Sequence, residues 1–398
     1  MKKPTLLAIG LTAALLLTGC AGNAGPSSSA DGAGSDEPIL IGNIEALTGV
    51  VGVDSQAPQG AIAAAKAINA AGGVNGRSIE IVSCDSASDP NTFQKCVRDA
   101  SDEGVVGFAG NFDALNQQSG LEVAEGLGLP WVAPTAMTEA EFTSPVSFPV
   151  TTGAVGSGYG LAPVALELGC KHVGTWTDPA VDPTISNVLK DALEAEGVKY
   201  TAGHISNSST ADVTPAVQEV VDANPDCLVF LGANFVAAQI FTAARKLNSD
   251  AQFVSALGTM LPAVVTSVGS VAEGLASVSD APLPSIDDLD EFRDDLAKYT
   301  DVKPEEANQF GLAAWYGVHI IAEALKEVDD PSAETLLGSL NEMKDVELPG
   351  LPKMDFTQTM KSERFARMFN PAVQIAVVED GVYVPSDAGW QDITDLLP

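Results

Sequence analysis

The stretch ILIGNIEALTGVVGVDSQAPQGAIAAAKAINAAGGVNGRSIEIVSCD, Ile39 to Asp85, decides the fold of this chain. Its apolar spacing predicts a strand over residues 39–44, a helix over 57–70 and a second strand over 78–82. Two apolar runs without alternation, joined by a helix, are typical of a parallel pair whose two faces are both buried. We therefore expect a parallel α/β sheet that binds ligands at the loops after its strands.

The same alternation of strands and helices continues along the chain. Short apolar runs near residues 105–109, 130–133, 172–176, 228–231 and 253–256 predict further strands, with helical patterns between them. Residues 373–384 predict a closing hairpin around Asp380 and Gly381. At 398 residues the chain exceeds the size at which a single core usually divides, so two lobes are expected.

Three motifs in the first stretch resemble those of a known family. A strand runs into Leu47-Thr48-Gly49, a helix ends in INAAGGVNGR at residues 68–77, and the next strand runs into Asp85. Together they resemble the leucine/isoleucine/valine-binding family of ABC-transporter solute-binding proteins, and a weaker similarity extends over residues 38–385. The resemblance implies an α/β fold of two doubly wound parallel-sheet lobes joined by three hinge crossovers, as in type I periplasmic binding proteins.

The resemblance also divides the chain into segments. Crossovers are expected near residues 148–152, 274–279 and 349–354. We expect one lobe from residues 38–149 and 279–352, and the other from residues 150–278 and 353–398. A ligand between such lobes closes them by hinge motion, because the closed state makes contacts that the open state lacks.

The N-terminal segment has the pattern of an export signal. Lys2 and Lys3 precede an apolar run over residues 6–17 that is too short for a membrane span. Leu17-Thr18-Gly19-Cys20 resembles a bacterial lipobox, which implies removal of residues 1–19 and a lipid on Cys20; the alternative is an ordinary signal with an accidental cysteine. Residues 20–37, rich in Gly, Ser and Ala, then form a flexible tether, so we expect an extracytoplasmic protein anchored to the cell membrane.

Charge restricts the possible partners. The formal net charge is −33, and the sequence has no basic cluster. Nucleic acid and purely electrostatic attachment to anionic lipid are therefore disfavoured as partners. The acidic excess favours a soluble monomer.

Four cysteines remain when Cys20 is assigned to the lipid. An even number in an exported chain predicts disulfides. Cys84 and Cys96 form a short local closure, and Cys170 and Cys227 each precede an apolar run, so they can join the same ends of neighbouring strands. Free buried thiols are the alternative, and no spacing indicates a metal site.

Enzymatic motifs are absent from the sequence. It contains no G-x-S-x-G elbow, P-loop or H-E-x-x-H. Gly156, Gly158 and Gly160 suggest a dinucleotide fingerprint, but the third glycine is one residue early, so we interpret the cluster as a hinge and helix start. We predict neither enzymatic activity nor a cofactor.

The amino-acid clamp of the family is not reproduced. In that family, hydroxyls of the first lobe hold the ligand's carboxylate and an acidic residue of the second lobe holds its ammonium. By resemblance, the serine of this clamp falls on Ala114, the threonine on Met137 and the glutamate near Leu257. The expected scaffold is therefore that of the family, with a different cleft.

A plain α-amino acid is disfavoured as the ligand. A buried ammonium without a partner is costly, so Asp54, Asp113 or Asp178 would have to supply the missing carboxylate. Trp176 and Phe235 are expected to offer apolar or stacking area, and the alternative for every candidate is an ordinary loop residue. The candidate ligand-binding residues are Thr48, Asp113, Ala114, Thr135 and Met137 in the first lobe, and Trp176, Asp178, Asn234, Phe235, Gly258 and Thr259 in the second.

Three hypotheses on function follow. The first is a lipid-anchored protein that captures an amino acid, an amino-acid-like compound or another small organic solute and delivers it to an ABC permease with its ATPase subunits. The second is a ligand-sensing or partner-binding receptor module on the same fold. The third is an exported enzyme.

Overall fold

Two β-sheets carry the structure. The computed structural model of the chain describes residues 37–49, 56–177, 183–204, 212–232, 234–247, 249–260 and 262–397. Five parallel strands in the order β2-β1-β3-β4-β5 form sheet 1, and seven strands in the order β12-β11-β10-β9-β8-β6-β7 form sheet 2. The strands are β1 Ile39–Glu45, β2 Ile79–Asp85, β3 Gly107–Ala109, β4 Trp131–Val132, β5 Ser147–Phe148, β6 His172–Thr177, β7 Lys199–His204, β8 Cys227–Leu231, β9 Gln252–Ala256, β10 Ala276–Ser279, β11 Ala372–Glu379 and β12 Val382–Asp392.

Helices alternate with the parallel strands. Six short 3-10 turns supplement them in the described part of the chain, at residues 139–142, 269–272, 287–289, 304–306, 363–365 and 394–396. The α-helices are α1 Gln56–Ala70, α2 Pro90–Glu103, α3 Gln117–Leu127, α4 Gly153–Tyr159, α5 Leu161–Glu167, α6 Pro183–Ala195, α7 Thr214–Val221, α8 Asn234–Lys246, α9 Pro262–Val268, α10 Asp290–Tyr299, α11 Gln309–Ala324 and α12 Ala333–Glu342.

Sheet 1 is buried on both faces, as its continuous apolar strands predict. Ile41 of β1 packs in a cluster that includes residues of α1, α10 and α11, whereas Ile44 packs with α2 and α3 on the opposite face. Helices α1 and α11 approach so closely that a Cβ at Gly60 would lie 1.9 Å from the Gly311 carbonyl oxygen. Helix α11 begins at Gln309 because the side chain of Asn308 caps its first amides.

Sheet 2 repeats the strand order of sheet 1. Strands β7-β6-β8-β9-β10 are parallel, and β11 and β12 add an antiparallel hairpin to the β10 edge. Asp380 and Gly381, at the tip of this hairpin, have φ values of 52° and 79°, which is the turn geometry that the sequence predicted. The same doubly wound order in both sheets identifies two related α/β lobes.

The chain passes three times between the two sheets. It leaves sheet 1 after β5, returns from β10 to α10, and passes from α12 to β11. Helices α10, α11 and α12 pack in the core of sheet 1. The predicted fold class, two doubly wound parallel-sheet α/β lobes joined by three crossovers, is therefore confirmed.

Both predicted disulfides are present. Cys84 is bonded to Cys96 with the Cα atoms 5.9 Å apart, and Cys170 to Cys227 with the Cα atoms 5.8 Å apart. The first bridge links the end of β2 to α2. The second links the segment before β6 to the start of β8, at the amino ends of two paired strands.

Candidate functional site

The carboxyl ends of the parallel strands define the candidate site. In each sheet the direction of winding reverses beside the first strand of the lobe, between β1 and β3 and between β6 and β8. Ligands of open α/β sheets bind in the crevice outside such a switch point. The loops after these strands, and those after their neighbours β4, β9 and β10, are therefore the candidate ligand loops.

The crossovers bring the carboxyl edges of the two sheets together. Asp280 directly follows β10, and its carboxylate accepts hydrogen bonds from Thr151 (3.1 Å), which follows β5, and from Ser157 (3.4 Å) of α4. Burial raises the pKa of Asp280, against the effect of these hydrogen bonds. The side chain of Asn370 joins the third crossover to the first by donating to the Val150 carbonyl (3.1 Å). The three crossovers are therefore joined to one another at the carboxyl edges of the two sheets.

The loop after β1 is fastened to the loop after β2. The Asp85 carboxylate accepts hydrogen bonds from the Thr48 hydroxyl (2.6 Å) and from the amides of Leu47 (3.0 Å) and Ala87 (2.8 Å). Burial raises the pKa of Asp85, but these hydrogen bonds outweigh it and the pKa is lowered overall. Gly49 has a φ of 101°, and a Cβ there would lie 2.2 Å from the Ala87 carbonyl oxygen. Thr48 is exposed at the predicted site, with its hydroxyl engaged.

Asp113 has a structural role in the loop after β3. It is fully buried and accepts hydrogen bonds from the Ser86 hydroxyl (2.6 Å) and from the amides of Leu115 and Asn116 (3.1 Å each). The expectation that it presents a carboxylate to the ligand is wrong, because the folded loop surrounds both oxygens. Ala114 is half-buried beside it, and 60% of Leu115 is exposed.

The loop after β4 contains two predicted residues, Thr135 and Met137, and a buried glutamate holds part of it. The Glu141 carboxylate is fully buried and accepts hydrogen bonds from the amides of Met137 (2.8 Å) and Thr138 (2.9 Å). Burial raises the pKa of Glu141 to about 7, although these hydrogen bonds act in the opposite direction. Thr135 and Met137 are half-buried, so the structure brings them to the same edge as Thr48 and Ala114.

A second buried glutamate lies below these loops, at the end of β1. Glu45 is fully buried and accepts a hydrogen bond from the side chain of Asn43 (3.1 Å). Burial raises its pKa well above the usual value; the hydrogen bond from Asn43 lowers it and the charge of Asp113 raises it. Within the part of the chain that the structure describes, Glu45 Oε2, Asn43 Oδ1 and Asn111 Nδ2 have no hydrogen-bond partner. The floor of the first-lobe site is therefore polar and withdrawn from solvent.

The second lobe contributes the loop after β9. Gly258 is exposed, and the Thr259 hydroxyl donates to the carbonyl of Gly232 (3.1 Å), which ties this loop to the loop after β8. Leu257, at the position of the family's glutamate, is almost fully buried. Gly258 is therefore the predicted second-lobe residue that the structure leaves open.

Trp176 is not part of the open edge, which corrects the sequence prediction. Its side chain is 0% exposed in the core of the second lobe, and the indole nitrogen donates to the Ala216 carbonyl (3.0 Å). A strand buried on both faces directs this aromatic into the core. Asp178 and Asp54 lie outside the described residues, and of Asn234 and Phe235 only the backbone, which begins α8, is described.

The candidate loops carry no basic side chain. Residues 46–55, 110–116, 133–138, 149–152, 178–182, 232–233 and 257–261 contain no Lys, Arg or His in the sequence. An anionic group at this edge would therefore be held by amides, hydroxyls and helix N-termini. The carboxylates of Asp85, Asp113 and Glu141 are committed to internal hydrogen bonds, and that of Glu45 is buried below the loops.

Other potentially reactive groups lie elsewhere. The one set of three potential metal ligands in the described ranges is Cys170, Asp226 and Cys227, and its two sulfurs form a disulfide. The ring of His319 lies against that of Trp315, with the centroids 4.0 Å apart and the planes tilted by 47°, and burial lowers the pKa of His319 to about 4. No helix in the described part of the chain has the length and apolar character of a membrane span.

Comparison with known proteins establishes the family. The sequence pattern of the periplasmic binding protein family matches residues 38–372, so the chain belongs to that family. That family comprises binding proteins, so the chain is not an enzyme. Over 288 residues, 71% of this chain and 76% of the other, it is 24% identical to the leucine-, isoleucine-, valine-, threonine- and alanine-binding protein of Pseudomonas aeruginosa.

Solved structures share the fold at low sequence identity. A fatty acid ABC transporter substrate-binding protein from Thermomonospora curvata superposes with a TM-score of 0.74 at 16% identity, covering 91% of this chain and 94% of the other. An ABC-transporter solute-binding protein from R. palustris in complex with 4-hydroxybenzoate gives a TM-score of 0.73 at 18% identity, covering 89% and 97%. Proteins named for different ligands thus share this architecture.

Two residues of the site were missed at the sequence level. Glu141 and Gln117 hold the loops after β3 and β4, yet neither was a candidate. The sequence does contain a signal for the first, because Thr138 and Glu141 form the T-x-x-E pattern of a capping box, which the structure contains. Nothing in the sequence distinguishes Gln117 from its neighbour Gln118, which is exposed.

Proposed function

We propose that this protein captures a small organic solute between its two lobes and delivers it to an ABC permease. The observation that carries the proposal is the pair of switch-point edges that the crossovers join, on a chain of the periplasmic binding protein family. The names of its relatives support transport as the setting, since the R. palustris and T. curvata proteins are described as ABC-transporter components.

The solute is a small organic acid or amide rather than a plain α-amino acid. The carboxylates of Asp85, Asp113 and Glu141 are engaged internally, so the described first-lobe loops lack a free partner for an ammonium. The exposed side chain of Leu115 and the half-buried Met137 offer apolar area beside backbone amides. An acid with an apolar body matches this combination.

A lipid on Cys20 holds the protein at the outer face of the cell membrane, with residues 20–37 as its tether. The support is the Leu17-Thr18-Gly19-Cys20 motif. Metabolic labelling with a fatty acid tests it. Labelled wild-type protein and an unlabelled, released Cys20→Ser variant are expected, whereas an unlabelled wild type would contradict the anchor.

A thermal-shift panel tests the transport function. The protein from residue 37 onward is unfolded and refolded to remove bound solute, then heated with 4-hydroxybenzoate, octanoate, isoleucine, isoleucinamide and related compounds. A ligand at a hundred times its Kd stabilises the folded state by about 2.7 kcal/mol. We expect the acids or amides to raise Tm. A rise with isoleucine alone would contradict the solute class, and no response in a broad panel would contradict solute capture.

A further inference from the structure

The loops after β3 and β4 are joined through one buried side chain, Gln117, at the start of α3. Its Nε2 donates to Glu141 Oε1 (2.8 Å) and to the Asn111 carbonyl (3.0 Å), and its Oε1 accepts from the Asp113 amide (2.8 Å). Both ends of the amide have partners of the correct polarity, which fixes its orientation. Gln117 is 1% exposed and Glu141 is fully buried. This pair thus links the two loops, beside a backbone hydrogen bond from the Thr135 amide to the Asn111 carbonyl (3.3 Å).

Glu141 faces hydrogen-bond donors on every side. Its Oε2 accepts the amides of Met137 and Thr138, with the Thr138 hydroxyl at 3.4 Å, and its Oε1 accepts from Gln117. This pattern fits an ionised carboxylate, because each oxygen already receives a proton from a neighbour. Protonation of either oxygen removes the negative charge that strengthens these hydrogen bonds. It therefore weakens the link and the hold on the loop after β4.

We propose that Gln117 and Glu141 are positioning residues of the ligand site, which hold the loops after β3 and β4 in one arrangement while Glu141 is ionised. The proposal rests on the proposed function only in assigning these loops to a solute. The hydrogen bond between Gln117 and Glu141 does not depend on the proposed function.

Glu141 is the group of this link that titrates, and the charged groups around it lie outside the link. On its own turn, Glu139 accepts a hydrogen bond from Arg364 (2.8 Å), so this neighbouring pair is mutually neutralised. Arg367, which follows the turn at residues 363–365, donates to the Ser147 carbonyl (2.8 Å) and lies over the ring of Phe148. The remaining charged groups are Asp113, on the far side of Gln117, and three exposed carboxylates, Glu122 and Glu125 of α3 and Glu363.

Burial raises the pKa of Glu141 to about 7. The pH at which the link is released is therefore near neutral. Raising the pH through this value ionises Glu141 and completes the link. Lowering the pH has the opposite effect while Glu141 stays buried, because the hydrogen bonds of the link favour the ionised carboxylate. First-lobe order and solute affinity therefore both increase with pH across this range, whereas global unfolding, which exposes Glu141 to water, becomes easier.

Amide hydrogen exchange measures the link without a solute. Exchange of the amides of Met137 and Thr138, corrected for intrinsic rate, is compared at about pH 5.5 and about pH 8.5, on either side of the pKa. In the wild type we expect protection to be lower at the acidic pH by about tenfold, the equilibrium factor of one hydrogen bond. The amide of Leu257, which donates to Val278 in the second lobe, is the internal reference.

Three variants separate positioning from general stability. In Glu141→Gln, the NH₂ group of residue 141 faces the NH₂ group of Gln117, and the titrating carboxyl group is gone. Protection of the Met137 and Thr138 amides should therefore be low and independent of pH. In the double variant Glu141→Gln with Gln117→Glu, residue 117 accepts from both Asp113 and residue 141, and protection should be partly restored. Glu139→Gln removes a carboxylate from the same turn without touching the link and should behave as the wild type.

The result that would overturn the proposal is a wild type whose protection is equal at both pH values, or a Glu141→Gln variant that retains the pH dependence. The same proteins are titrated with the strongest compound of the solute panel, whose affinity should follow loop protection. If the compound binds but its affinity does not follow protection, the positioning role is refuted. If no compound binds, solute capture is refuted and the exchange data alone decide whether the link exists.

Discussion

Gly49 is the residue on which the shape of the loop after β1 most directly depends. Its φ of 101° is unfavourable for other residues, and its missing Cβ leaves room for the Ala87 carbonyl oxygen at 2.2 Å from the Cβ position. The chain offers a matched control in Gly72, whose φ is 113° and whose Cβ position has no neighbour within 4 Å. The two glycines therefore separate backbone strain from contact.

We expect Gly49→Ala to weaken solute binding and Gly72→Ala to leave it unchanged. Both substitutions introduce strain of about 1–3 kcal/mol, but only the first pushes the loop after β1 away from Asp85. Urea unfolding measures the stability of each variant, and calorimetry measures its solute affinity. Equal affinities in the two variants would contradict a role for this loop in the ligand site.

The candidate residues mark the limit of what the sequence predicts. Thr48, Thr135 and Met137 lie in loops at the carboxyl ends of strands, which are recognisable in the sequence. Trp176 was misplaced because a strand buried on both faces gives no alternation to tell core from rim. Asp113 was misinterpreted because a carboxylate that caps a loop and one that binds a ligand look alike until their hydrogen bonds are known.

At the scale of elements, the fold was largely predictable. The βαβ unit, the repeated doubly wound order, the hairpin and both disulfides follow from apolar runs, turn residues and cysteine positions. Boundaries are harder to predict: α3 starts at Gln117, four residues before its apolar pattern begins at Leu121. The side chains of Asp113 and Gln117 accept hydrogen bonds from amides of this loop, and these bonds order the chain before the apolar pattern begins.

The two disulfides should differ in what their removal does. Their sequence separations are 12 and 57 residues, so the loop-entropy relation predicts losses of about 3 kcal/mol for the Cys84 and Cys96 bridge and about 4 kcal/mol for the Cys170 and Cys227 bridge. Urea unfolding of the paired alanine variants measures both.

Removal of the bridges should affect solute affinity in the opposite order to stability. Cys84 adjoins Asp85, which fastens the loop after β1, whereas Cys170 and Cys227 lie at the amino ends of β6 and β8, away from the site. We expect weaker binding only when the first bridge is removed. A loss of affinity confined to the second would contradict the assigned edge.

At the scale of the whole molecule, stability should decrease from mildly acidic to neutral pH. Burial raises the pKa values of Glu45, Glu141 and Asp280, so the folded state retains protons that the unfolded state releases. Stability from these groups is present below their unfolded values and is lost as pH rises through the folded values. For Glu141 the window runs from 4.5 to about 7, which amounts to up to ~3 kcal/mol.

Urea unfolding of the wild type and of Glu141→Gln across this window measures the effect. The net charge of −33 also disfavours compactness as carboxylates ionise. The part of the slope that disappears in Glu141→Gln belongs to that residue. Identical slopes in the two proteins would show that Glu141 titrates normally.

Closure of the two lobes around a solute is the central claim, and small-angle X-ray scattering tests it most directly. The refolded, solute-free protein is measured alone and with a saturating amount of the compound that gives the largest thermal shift. We predict a smaller radius of gyration with the compound, because three crossovers allow the lobes to close on it. An unchanged radius, at a concentration where calorimetry records one bound molecule per chain, would contradict capture between the lobes.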